Sequence, residues 1–201
     1  MRAIRHLKYI GKSIPRIDAW GKVTGKTKYP TDFYFKDMLW AKVLRSPYAH
    51  AKIIKLDVQN LKNLSGVEAV LTYKDVHGYN GFGVIISNWP VLCVDRVRDR
   101  GDAIALVAAK DKETAENALS LIEMEYAHLP VIDTPEEALK SGAPRIHEKG
   151  NISYSNELSK GDVEEGFKRS NIVLEETYST QFQEHAYLET EGGVAIYEEK
   201  E

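Results

Sequence analysis

The chain has 201 residues, 43% of them hydrophobic and 28% charged, with a formal net charge of −3. That suits one large domain or two small ones of ordinary globular composition. The longest apolar run, residues 103–109, falls far short of the ~20 residues a membrane helix needs. The lone cysteine, Cys93, excludes an intrachain disulfide, a cysteine-ligated iron–sulfur cluster, which takes about four thiolates, and a Cys-rich zinc site.

Cys93 lies between Leu92 and Val94 and reads as a small buried apolar residue. Residues 1–8 carry scattered charges and lack the apolar core of a signal peptide, which predicts a cytoplasmic protein. Charge is unevenly placed. Residues 1–60 hold 13 Lys/Arg against 4 Asp/Glu, whereas residues 151–201 hold 4 against 12. The basic charges are spaced singly among apolar residues. This favours opposite-sign ends that face each other, or face partner subunits, over a nucleic-acid surface.

Residues 11–36 are rich in Gly, Lys, Pro and Tyr and predict an extended arm with one short strand. Residues 38–44 predict a strand buried on both faces, stopped at Pro47. Residues 50–57 alternate Ala51, Ile53, Lys55 and Asp57 against Lys52, Ile54 and Leu56, as a second strand does. Leu61, Leu64 and Gly66 suggest a short helix, and residues 67–73 a third strand. Residues 77–90, with three glycines and Pro90, predict a long loop.

The clearest unit is 102–132. A buried strand over 103–109 leads to a helix capped by Asp111, with Ala115, Ala118, Leu119 and Ile122 on one face. A half-exposed strand over 123–129 follows, giving a βαβ-type unit or a split version of one. Thr134-Pro135-Glu136-Glu137 is a capping box opening a short helix that ends at Gly142. Residues 143–160 have a linker's composition. Asp162 and Glu165 form a second capping box, with Val163 and Phe167 on one face and Asn171 as the stop. Residues 172–182 alternate as a strand of about ten residues, and 194–197 is its candidate partner. A helix plus a two-stranded ribbon lacks the apolar surface to stand alone. The terminal piece therefore reads as the opening of a domain, to be completed by the first domain or by a partner.

No phosphate loop, Gly-x-Gly-x-x-Gly turn or Gly-x-Ser-x-Gly elbow occurs. Gly81-Phe82-Gly83 is a loop glycine pair. The six histidines, His6, His50, His77, His128, His147 and His185, include no two within four residues, so no helical zinc pair exists. The paired acids Glu123/Glu125, Glu136/Glu137, Glu164/Glu165 and Glu175/Glu176 read as solvent faces. The residues alone describe an α+β protein without a visible catalytic constellation.

Several stretches together carry a family pattern. They are Gly11-Lys12-Ser13-Ile14-Pro15-Arg16 with Asp18, Lys22, Val23, Thr24 and Gly25; Tyr29-Pro30-Thr31-Asp32; and Leu44-Arg45-Ser46-Pro47-Tyr48-Ala49-His50-Ala51-Lys52-Ile53. Further on come Gly66-Val67 with Ala69-Val70-Leu71-Thr72, Asp75-Val76, Gly101-Asp102 with 103–109, Ile122-Glu123-Met124-Glu125-Tyr126, Leu129-Pro130, and His185-Ala186-Tyr187-Leu188-Glu189. In this order and spacing the chain resembles the start of the molybdenum-binding subunit of the xanthine dehydrogenase/aldehyde oxidase family, over residues 11–197. Each motif alone is weak; the ordered set is specific.

The resemblance implies an N-terminal arm over 1–16, an α/β hammerhead domain over 17–133 and a helix and linker over 134–160. It implies the incomplete start of a molybdopterin-binding domain over 161–201. The complete family enzyme would use molybdenum–molybdopterin, with Fe–S clusters and FAD on other parts, to hydroxylate purines, aldehydes, N-heterocycles or related substrates. The family's cofactor loops and essential glutamate lie downstream of the His-x-x-Leu-Glu stretch. No catalytic, cofactor-binding or metal-binding residue is therefore assigned within this chain, and no cofactor is expected in it alone. Arg45 and His50 are read as parts of a proline turn, with substrate contact as the alternative, and His185 and Glu189 as fixing a turn between strands, with approach to a cofactor in the complete domain as the alternative. The implied partners are the remaining molybdenum-subunit portion and the Fe–S and FAD subunits. A homo-oligomer is left open, and neither nucleic acid nor membrane is expected. The alternative is a stand-alone hammerhead module, binding or structural, without enzymatic activity.

Overall fold

The structure is a computed structural model and describes residues 8–198. His6 and residues 199–201 lie outside the described residues. Internal contacts divide the chain into two units, Met1–Lys36 with Glu176–Glu201, and Asp37–Glu175.

The larger unit is built around one strand. In the first sheet, β1 (Trp40–Arg45) and β3 (Val67–Leu71) flank β5 (Ala103–Ala109), both antiparallel to it. Successive residues of a strand face opposite ways. Val107 therefore joins Leu61 and Ala118 in one fully buried cluster, and Ile104 joins Ala51, Cys93 and Val97 in another. The helix α2 (Lys112–Ser120) covers the Val107 face with Ala115 and Ala118. The second sheet covers the Ile104 face. There β2 (Ala51–Asp57) lies between β4 (Arg96–Val97) and β6 (Glu123–His128), again antiparallel to both. Helix, sheet and sheet thus stack on two apolar clusters.

Several expectations change. The β1 strand is a sheet edge with Ala41 and Arg45 exposed, so its apolar run is not buried on both faces. Strand, helix and strand form over 102–132 as expected, but β5 and β6 belong to different sheets. No parallel βαβ ladder arises, because β5 already has antiparallel neighbours on both edges. The simple alternation of β2 fails at one residue. Ile53 pairs with Tyr126 and Lys55 with Glu125, leaving Ile54 as an exposed bulge. An inserted residue switches the inward face, so Leu56 rather than Asp57 packs with Ala51 and Ile53. The short helix near Leu61 is a single 3₁₀ turn, Gln59–Leu61, and the chain reverses at Gly66 with φ +86°.

The N-caps form where the sequence places them, but without the reciprocal bond that would complete a capping box at Thr134 or Asp162. Asp111 Oδ1 accepts the Thr114 N–H at 2.7 Å, and Thr134 Oγ1 accepts the Glu137 N–H at 3.2 Å. Asp162 Oδ1 accepts the Glu165 N–H at 2.9 Å. They open α2, α3 (Pro135–Leu139) and α4 (Val163–Arg169). Val163 and Phe167 remain exposed on α4. The third strand ends at Leu71 because Thr72 turns to cap a 3₁₀ turn, Tyr73–Asp75. Asp75 Oδ2 accepts from both the Thr72 N–H and its hydroxyl, and these bonds hold the carboxyl below its usual pKa.

In the smaller unit the predicted short strand is replaced by a helix, α1 (Ala19–Val23), and a 3₁₀ turn, Pro30–Asp32. Asp18 meets Arg16 at 2.8 Å and Lys22 at 2.9 Å, and the two cations lower its pKa to about 2. The expected ribbon after residue 171 does not form. Residues 172–182 and 194–197 are exposed and carry no β ladder. Alternation supplies a strand's faces but not its hydrogen-bond partner, and no described segment pairs with them.

Leu61→Ala, which empties a fully buried site in the core, lowers unfolding stability by about 2–5 kcal/mol. Ile54→Thr, at the exposed bulge, changes it by less than about 0.5 kcal/mol; urea denaturation monitored by circular dichroism compares them. Burial, reinforced by the Asp102 carboxylate, pushes the Cys93 thiol up to about 12 from 9.0. An aromatic disulfide reagent at pH 8 is therefore expected to label Cys93 only as fast as the chain opens. Because the folded thiol holds its proton longer than the unfolded one, stability declines as pH rises from 9 towards 12. Cys93→Ala removes that part of the decline.

Candidate functional site

The turn 45–50 gathers most of the buried polar groups of the larger unit. Pro47 ends the β1 ladder, and the chain must reverse within a few residues to enter β2. Ser46 makes the reversal possible. Its hydroxyl accepts the Tyr48 N–H at 3.0 Å and donates to the Tyr48 carbonyl at 2.8 Å. The Ser46 N–H donates to the Asp102 carbonyl, and the Gly101 N–H donates to the Ser46 carbonyl. Arg45 Nη1 donates to the Gly101 carbonyl at 2.8 Å. Asp102, 6% exposed, accepts the N–H groups of Arg98 and Asp99 at 2.7 and 3.1 Å.

His50 is 4% exposed. Its Nδ1 lies 2.6 Å from the Pro130 carbonyl, which can only accept, so Nδ1 carries a proton. Nε2 is buried without a hydrogen-bond partner. Tyr48 fills the space beside the second sheet. Its ring meets Tyr126 edge-on at 5.0 Å and His128 at 4.5 Å. Burial, with Tyr48 adding to it, raises the Tyr126 pKa. Arg45 and His50 therefore tie β1 and β2 to their neighbours: Arg45 reaches the turn before β5, and His50 the end of β6. Neither aligns a base with a nucleophile. The Ser46 hydroxyl is committed to backbone on both sides, and the Cys93 thiol is shut in the core.

Arg98 and His147 extend this region outward. Arg98 Nε donates to the Ile146 carbonyl at 2.9 Å. Asn88 Nδ2 donates to His147 Nδ1 at 3.3 Å, and burial, then the Arg98 charge, lowers the His147 pKa. Asn151 closes the segment 143–151, donating to the carbonyls of Ala138 and Pro144 and accepting the Ile146 N–H. This segment, a linker by composition, is an ordered loop stitched by one amide side chain.

A groove of about 360 Å³ opens beside the bulge of β2, lined by Ile54, Leu56, Lys62, Thr72 and Lys74. Its acids are engaged: Asp57 accepts the Gln59 N–H at 3.0 Å, and Asp75 is bound by Thr72. The arrangement can admit a small polar group but sets no acid against a base.

His185 and Glu189 lie in the smaller unit, both exposed. The chain bends between them, with Ala186 at φ +49°, a region non-glycine residues rarely occupy. The His185 N–H donates to Glu184 Oε1 at 3.0 Å, and the Tyr187 hydroxyl donates to Glu191 Oε1 at 2.9 Å, which raises the tyrosine's pKa. Among the described residues no three His, Cys, Asp or Glu side chains converge as a metal site does. Residues 152–198 are exposed almost throughout. No helix among the described residues is long and apolar enough to cross a membrane.

The chain is similar to a probable xanthine dehydrogenase subunit of Bacillus subtilis, 54% identical over 184 residues, which are 92% of this chain and 25% of that protein. It is 43% identical over 189 residues to the nicotinate dehydrogenase large molybdopterin subunit of Eubacterium barkeri, covering 94% of this chain and 44% of that one. The chain thus spans a quarter to less than half of the length of these relatives. The fold superposes on the aldehyde oxidoreductase of Desulfovibrio desulfuricans with a TM-score of 0.68 and 29% identity, over 80% of this chain and 19% of that one. A molybdopterin cofactor-binding domain model matches residues 146–201. With residues 24–130 matched by the a/b hammerhead domain model of aldehyde oxidase and xanthine dehydrogenase, the chain belongs to that family and corresponds to part of its molybdenum-binding subunit.

Proposed function

We propose that the chain is the hammerhead portion of a molybdenum hydroxylase, acting as scaffold and as one wall of the substrate approach. The carrying observation is the order of the two matched models along one chain, hammerhead over 24–130 and then molybdopterin-binding over 146–201. On this reading residues 1–16 are an arm, 17–133 the hammerhead domain, 134–160 a helix and linker, and 161–201 the start of the cofactor domain. Catalytic and cofactor-contacting groups are supplied by the remaining molybdenum-subunit portion, and Fe–S and FAD parts carry the electrons onward. The bound molybdenum–molybdopterin group supplies the redox chemistry of hydroxylation.

The larger unit's own residues support a scaffold role. Its buried polar side chains, Ser46, His50, Thr72 and Asp102, each bond to the backbone. That use makes a rigid support rather than a reacting centre. The tail supports an assembly role. Ile172, Leu174, Tyr178 and Phe182 alternate along an exposed, unpaired backbone, which suits strand addition to a partner sheet.

The test is affinity purification of the tagged chain from its source cells, followed by elemental analysis. The expected outcome is a complex holding a larger molybdenum-binding polypeptide and stoichiometric molybdenum. A molybdenum-free monomer, recovered from cells with active molybdenum hydroxylases, overturns the proposal in favour of a stand-alone module.

A further inference from the structure

We propose that the apolar tip of the loop 79–89 is a docking knob that seats in an uncharged, apolar recess on the remaining portion of the molybdenum-binding subunit. The inference rests on the functional reading above and names the surface through which it operates.

Residues 78–94 contain no Asp, Glu, Lys, Arg or His, the longest such run in a chain that is 28% charged. Loops run over the surface and are normally polar; this one carries Phe82, Val84, Ile85, Ile86 and Trp89. Val84 and Ile85 are 103% and 84% exposed, and Phe82 and Trp89 are exposed beside them.

The tip is also held in shape. Phe82 and Trp89 exchange N–H···O bonds of 2.8 and 3.2 Å, and their rings lie 6.4 Å apart. The Asn88 N–H donates to the Ile86 carbonyl at 2.9 Å, and the Tyr79 hydroxyl donates to the Ser87 carbonyl. At the base, the Asn80 side chain donates to the Leu92 carbonyl at 2.8 Å and accepts the Leu92 N–H at 3.1 Å. Gly83 sits at φ +151°, where a Cβ would run into the Ile86 carbonyl. Apolar surface left in water forgoes the stabilisation that burial would give it. A loop already ordered around such a tip has little conformational entropy left to lose on docking.

The length of chain outside the structure identifies the occupant. This chain spans only a quarter of the Bacillus subtilis relative, so most of such a polypeptide remains to cover it. The recess must be uncharged, because the tip offers no counter-charge for a buried ion.

The experiment compares the purified complex with the isolated chain by hydrogen exchange, and measures association of Ile85→Glu and Ile54→Glu variants with the larger polypeptide. Slower exchange across 78–94 on assembly is expected. Ile85→Glu should weaken association by about tenfold or more, and Ile54→Glu, exposed at the β2 bulge, should leave it unchanged. Unaltered thermal unfolding of both variants checks that the fold is kept. A wild-type complex that Ile85→Glu joins at full affinity, without protection of 78–94, overturns this inference alone. A concentration-dependent dimer of the isolated chain that Ile85→Glu abolishes also overturns it, by assigning the tip to a second copy. A wild-type chain that binds no larger molybdenum polypeptide sinks both readings.

Discussion

The larger unit depends on burying one strand from both sides. Ile104 and Val107 are fully buried on opposite faces of β5. A strand so placed needs a partner on each edge and a cover on each face, because its backbone groups must be paired and its side chains kept from water. The β1 and β3 strands provide the edges, and α2 and the second sheet provide the covers. The bulge at Ile54 follows from the same demand. It brings Leu56 round to the core and leaves Asp57 to bond the next turn.

Where the two sheets meet, the chain solves a different problem. Turns there leave backbone groups inside the fold, and several of them are satisfied by polar side chains. Ser46 closes on Tyr48, Asp102 on Arg98 and Asp99, and His50 on Pro130. Such bonds are worth about 0.5–1.5 kcal/mol each, but losing one partner in a buried setting costs about 1–3 kcal/mol. That asymmetry gives Arg45, Ser46 and His50 a structural use at the turn.

How much of this was legible in the sequence follows the range of the interaction. Asp111, Thr134 and Asp162 cap the helices they precede because a cap is decided within about four residues. The buried run 103–109 was legible because its burial leaves a continuous apolar stretch. Ile54 was not, since a bulge is defined only against a partner strand. The order β1-β5-β3 was hidden for the same reason, because it joins segments far apart in sequence. At the candidate site, the roles of Arg45 and His50 as parts of a turn were legible from Pro47. Their acceptors, Gly101 and Pro130, could not be.

Two of the exposed apolar regions differ in a way that bears on assembly. The loop 79–89 makes its own hydrogen bonds and lacks only a cover for its side chains. Residues 172–182 lack backbone partners as well as cover. The first therefore gains from a recess, which removes apolar area from water without changing the loop. The second gains from a sheet edge, which supplies ladder bonds and buries alternate side chains together. Recess and sheet edge are thus different kinds of cover, the one for side chains alone and the other for backbone as well.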